Sequence, residues 1–173
     1  MFLEGWNDGT SGPLLPRMQK FYGVGFLVVS LIFVVSCVGF IIGSIFNLYL
    51  HDRLGFGRMI VLGNLLQLVA FCIQAPAPPF PLFVFSYIFN GFGLAVQNAQ
   101  TNAYVASLRH NSELYMGILH AIYGAGALSS PLVATQFSQM RHWSFHYLIS
   151  LGLALSNVVI LCLTFRFRSQ NGK

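Results

Sequence analysis

The chain has 173 residues, 55% of them hydrophobic and 8% charged, with a formal net charge of +5 and a mean hydropathy of +0.68. A soluble domain of this length carries about 25% charged residues, so these few charges cannot clothe a water-facing surface, and the chain reads as an integral membrane protein. The positive residues stand singly between apolar runs, which argues against a nucleic-acid partner and matches charges that flank membrane spans.

A spanning helix needs roughly 20 apolar residues. Residues 1–16 reach about three-quarters of that length and read as the later part of a first span. Further spans follow at 23–50, 57–76, 80–108, 114–137 and 146–166. Backbone in lipid must satisfy its own hydrogen bonds, so runs of this length are expected to be helices; barrel strands would be about half as long and would alternate. The expected fold is all-α, a polytopic membrane helix bundle occupying residues 1–173 as one domain. The connections at 17–22, 51–58, 75–81, 109–113 and 138–146 are short, which predicts antiparallel neighbours. One set of ends holds Arg53, Arg58, Arg109, Arg166, Arg168 and Lys173, and the other holds Arg17, Lys20 and Arg141. That excess puts the 51–58 loop, the 109–113 loop and the C-terminus in the cytoplasm. Nothing at the start has the pattern of a cleavable leader. Cys37, Cys72 and Cys162 each lie in an apolar run and read as small packing residues.

The polar residues inside these runs carry the functional signal. At 100° per residue, Glu4, Asn7, Asp8 and Ser11 fall on one stripe of the first helix. A charge near the centre of a spanning helix costs roughly 2.5 kcal/mol or more. Such residues must therefore face a bundle interior or a watery cavity, and they read as a substrate or proton site; an interfacial position is the plain reading. Gly5, Gly9, Gly12, Pro13 and Pro16 weaken the helix locally, which membrane proteins tolerate beside a cavity. The fourth span reads NGFGLAVQNAQTNAY. There Asn90, Gln97 and Thr101 share a face, with Asn98 and Gln100 flanking it and Asn102 further round. Amides both donate and accept, so this row can bond a small polar solute or join helices to one another. His120 is a mid-span candidate for proton relay or for an interhelical bond. Gly117, Ala121, Gly124 and Ala127 are small residues at helical spacing, as close helix packing requires. Asn64, Gln67 and Asn157 read as isolated structural polars. His142 and His146 stand four apart, but no third ligand accompanies them, so no metal site is expected.

The loop NLYLHDRLGFGRM resembles the cytoplasmic signature between the second and third helices of the major facilitator superfamily. Asp52, Arg53 and Gly55 match that signature. Leu48 replaces its first glycine, Phe56 and Gly57 replace two basic residues, and Arg58 follows one place late. The resemblance implies that Asp52, Arg53, Gly55 and Arg58 form a gating loop. The opening GWNDGTSGPLLP resembles the first helix of fungal facilitators of the fucose-permease type, and QTNAYV resembles their fourth-helix segment, with Ala103 where proline is common. Some sugar–proton symporters of that branch carry a carboxylate where this chain has Asn98, and Ser130-Pro131 stands where an antiporter-type signature has Gly-Pro.

The resemblance implies one six-helix half of a twelve-helix fold, with its first helix incomplete and its C-terminal half missing. It implies secondary transport of a small polar solute, in the family's manner a sugar, with protons as the coupling ion. Because burial disfavours the charged form of a carboxyl group, Asp8, and after it Glu4, is the expected proton carrier. Gln97, Asn98, Asn102, Asn7 and His120 are the expected solute contacts. The expected partners are the lipid bilayer, the solute and protons, with no cofactor and no nucleic acid. Three alternatives remain: a non-transporting sensor with the same fold, an inactive truncated product, and a membrane enzyme using His110, His120, His142 and His146, which lie in separate segments.

Overall fold

The computed structural model describes residues 1–165, and among them there is no strand. The helices are α1 (Phe2–Tyr22), a single turn α2 (Phe26–Val29), α3 (Leu31–Gln74), α4 (Phe80–Ala106), α5 (Ser112–Gln139) and α6 (His146–Phe165), which is entered through a 3-10 turn at Trp143–Phe145. Arg166, Arg168 and Lys173, which weighed in the sidedness argument, lie outside the described residues, as does the last position of the 146–166 span.

Four stretches are long and apolar enough to cross a membrane: Phe26–Gln74, Phe80–Ala106, Ser112–Gln139 and Trp143–Thr164. Their outward faces are apolar, and polar side chains lie buried beside the apolar core. Leu27, Leu48, Leu128, Leu132 and Leu163 are largely exposed, while Asn64, Gln67, Gln74, Ser86 and Asn90 are fully buried. Apolar groups outside and bonded amides inside suit a hydrocarbon solvent, which is indifferent to leucine and hostile to an unpaired amide.

The structure corrects two expected boundaries. The first helix does not stop at residue 16. Arg17–Tyr22, expected as a loop, continue α1 to 21 residues, about 31 Å at 1.5 Å per residue. Pro13 and Pro16 lie inside it. Each removes a backbone donor, but the fixed proline φ is itself helical, and α5 flanks this helix along its length. The end comes at Gly23, at φ 64° and ψ 31°, where the amides of Gly23 and Val24 both return to the Gln19 carbonyl. That closure needs a left-handed residue, which glycine supplies without strain.

The second correction is in α3. Six spans were expected, and five long helices are described, because helical structure runs through residues 51–58 on both sides of one break at Gly55, at φ 72° and ψ 166°. The chain reverses there. Before the break, the backbone at Ser36 lies against Gly91, and Asn47 and His51 bond Gln100. After it, Phe56 stacks on Tyr104, Gln97 bonds Gln67, and Gln74 bonds Ser86. Contacts thus climb α4 and then descend it, so α3 is two limbs folded about that helix.

Close backbone crossings hold the helices. An added Cβ at Gly5 would overlap the Tyr123 carbonyl oxygen, and one at Gly126 would overlap that of Phe2, so α1 and α5 meet reciprocally. Gly39 and Gly91 do the same between α3 and α4. Of the expected α5 stripe, Ala127 joins this contact, its backbone lying against Gly5 and Gly9, whereas Gly117 and Gly124 meet nothing within 4 Å. Tyr22, Phe83, Trp143 and Tyr147 form an aromatic cluster at one end of the bundle, with ring centroids 5.6–6.2 Å apart.

Candidate solute cavity

Two polar systems lie inside the bundle. One is sealed. Thr10 Oγ1 donates to the Trp6 carbonyl at 2.7 Å, so it can only accept from its other neighbours, Ser130 Oγ at 2.8 Å and His146 Nε2 at 2.9 Å. His146 therefore carries its proton on Nε2. Its ring stacks on Trp6 at 5.3 Å, and Trp6 Nε1 donates to Ser150 Oγ at 2.9 Å. Sequence reasoning missed this knot of α1, α5 and α6. Its members lie up to 144 residues apart, and none is conspicuous alone. His142 takes no part and stacks on Phe145 instead.

The other system is open. A cavity of about 340 Å³ is lined by α1 (Glu4, Asp8), the first limb of α3 (Cys37, Phe40), α4 (Asn98, Asn102) and α5 (His120, Tyr123). Glu4 and Asp8 share a face of α1 because they are one helical turn apart. Asn98 and Asn102 do the same on α4, where Asn102 Nδ2 donates to Asn98 Oδ1 at 2.6 Å. His120 Nδ1 donates to the Met116 carbonyl at 2.9 Å, which leaves Nε2 as an acceptor in the neutral ring. Tyr123 donates its hydroxyl to Asp8 Oδ2 at 2.7 Å.

The two acids differ. Asp8 is exposed to the cavity and held by Tyr123, whereas Glu4 is 2% exposed, and neither of its carboxylate oxygens has a hydrogen-bond partner. The Met1 ammonium stands 3.8 Å from one of them and forms an ion pair with it.

Five of the seven expected solute or proton residues therefore share one cavity: Glu4, Asp8, Asn98, Asn102 and His120. The other two do not line it. Asn7 Oδ1 accepts from Asn90 Nδ2 at 2.8 Å, and Gln97 Nε2 donates to Gln67 Oε1 at 2.8 Å. Asn64 and Asn157, expected as isolated, bond each other at 2.9 Å. Cys37 and Cys72 are exposed and Cys162 is intermediate, so the first two are not buried packers. Tyr123 and Cys37 were missed as cavity residues; an apolar run hides which of its faces looks inward. Asp52, Arg53 and Arg58 are exposed beside the Gly55 reversal.

A family model described as Major Facilitator Superfamily matches residues 1–172. The chain belongs to the major facilitator superfamily. The superfamily resemblance read from the Asp52–Arg58 loop is thus borne out. This facilitator chain is also 31% identical over 169 residues to bypass of stop codon protein 6 of Saccharomyces cerevisiae, covering 96% of the chain and 34% of that relative. It spans about a third of the relative's length. Superfamily membership and four long apolar helices together point to an integral membrane protein, in a family of transporters rather than enzymes.

Proposed function

We propose that this chain is the N-terminal six-helix half of a secondary transporter that moves a small polar solute across a bilayer by alternating access, coupled to protons. The six helices are α1, the two limbs of α3, α4, α5 and α6. The carrying observation is the cavity itself: four helix segments converge on Glu4, Asp8, Asn98, Asn102, His120 and Tyr123. Sites in this architecture lie near midplane between two bundles, and the coverage of a third of the yeast relative supports a second half opposite this one. Asn98, Asn102 and His120 bond the solute, and Glu4 or Asp8 exchanges the proton. Asn7 and Gln97 support the cavity walls through their bonds to neighbouring helices. Asp52, Arg53 and Arg58 engage the opposite half at the face where Gly55 turns the chain, and that face is cytoplasmic. The test is uptake into liposomes by the full-length gene product under an imposed pH gradient. Asp8→Asn is expected to lower the rate and flatten its pH dependence; if both stay as in the parent, the proton role of Asp8 is wrong. Solute binding without flux would make the protein a sensor.

A further inference from the structure

We infer that the corner of the bundle between the end of α1 and the turn into α6 binds the phosphate of an anionic lipid headgroup. A pocket of about 180 Å³ opens there, lined by Phe21, the 75–77 connection and residues 141–145. It shares no residue with the solute cavity. It sits at the end of α4 marked by Phe83, roughly 30 Å along that helix from Tyr104 and the Gly55 reversal, at 1.5 Å per residue. Three of the six lysines and arginines among the described residues belong to this end: Arg17, Lys20 and Arg141. Arg17 Nη2 donates to the Met140 carbonyl at 3.1 Å, beside Arg141, and Lys20 follows in the last turn of α1. Among the described residues none of the three is paired with a carboxylate. Glu4 and Asp8 line the solute cavity, Asp52 adjoins the Gly55 reversal, and Glu113 opens α5. A site with one sign of charge attracts the opposite ion.

The hydrogen-bonding state of the lining points the same way. Arg141 offers a guanidinium fork, which matches the oxygens of a phosphate, and the His142 ring brings an N–H. Ser144 is 7% exposed, yet its hydroxyl makes no hydrogen bond. Trp143 is 1% exposed, and its Nε1–H is buried without an acceptor. Arg17 Nε, behind them, is also buried and unpartnered. Unmade bonds of this kind are costly. Each of these groups can donate, and a phosphate diester only accepts. The rim decides for a lipid over a soluble anion. Phe21 and Phe145 line the pocket and are exposed, and from Phe145 an exposed apolar stripe continues along α6 through Leu148, Leu155 and Val159 at helical spacing. A free anion gains nothing from that stripe, whereas an acyl chain lies along it. Trp143 and Tyr22 pack together beside the pocket, and such residues favour the headgroup level of a bilayer.

The 173-residue chain in dodecyl maltoside micelles is offered phosphatidylglycerol, phosphatidylcholine and monogalactosyl diacylglycerol with identical acyl chains, and retained lipid is read by native mass spectrometry. Phosphatidylcholine carries an ammonium that the cations of this corner repel, and the galactolipid has no phosphate. Phosphatidylglycerol is expected to be retained at about tenfold lower concentration than either, as for a charge-assisted bond. Arg141→Gln and, separately, His142→Gln, both at exposed positions, are expected to reduce that preference severalfold. Arg53→Gln, exposed at the other end, is expected to keep it. If the galactolipid is retained as well as phosphatidylglycerol, if the preference survives both Arg141→Gln and His142→Gln, or if Arg53→Gln removes it equally, the inference is overturned. Millimolar inorganic phosphate is expected to leave retention unchanged, because it lacks the acyl chain. If it displaces the lipid, the pocket takes free phosphate and the lipid assignment falls.

Discussion

Replacing Gly126 with alanine puts one methyl group against the backbone of α1. The new Cβ would overlap the Phe2 carbonyl oxygen and come within 2.9 Å of the Trp6 nitrogen. Ordinary contact needs about 3.5–4.0 Å, so the helices must part by roughly an ångström. Overpacking of this kind costs about 1–3 kcal/mol, and alanine returns up to about 1 kcal/mol through helix propensity. The net loss is expected near 1–2 kcal/mol, because the neighbour that must yield is backbone rather than a flexible side chain. Gly5 meets α5 in the same way from the opposite helix, so nearby relief is blocked. The measurement is reversible unfolding in mixed detergent micelles, followed by tryptophan fluorescence; Trp6 and Trp143 are both buried. Gly117→Ala is the control, since nothing lies within 4 Å of that glycine, and it should unfold as the parent does or slightly later. If Gly126→Ala proves as stable as Gly117→Ala, the reciprocal crossing of α1 and α5 is not what joins them.

Thr10→Val keeps the shape of the side chain and removes three hydrogen bonds, to Trp6, Ser130 and His146. At about 0.6 kcal/mol per interhelical bond in a membrane protein, the same unfolding assay should register a loss of about 1–2 kcal/mol, with a shift in tryptophan emission; no change in either would mean that the knot carries little stability. Gly55→Ala should cost about 1–3 kcal/mol, because φ 72° with ψ 166° is a region that essentially only glycine occupies. Unchanged stability there would show that the chain does not reverse through this residue.

The sequence by itself determined the solvent and the class of structure. A chain with so few charges cannot face water, long apolar runs in lipid must be helical, and the Asp52–Arg58 loop carried the family. It also determined that Glu4 and Asp8 share a stripe, because helical geometry sets that spacing locally. Only the tertiary structure decided which polar residues look into a common space. Asn98 and Asn102 reach the cavity while Gln97, on the same helix, turns to Gln67. Helical periodicity fixes angles within one helix but not the rotation of that helix against its neighbours. The same limit hid the packing glycine, Gly126 rather than Gly117 or Gly124, and the knot of Trp6, Thr10, Ser130 and His146. Helix ends were hidden for a related reason: Pro13 and Pro16 look like breakers in isolation, but α1 runs through both to Tyr22, since the fixed proline φ is itself helical.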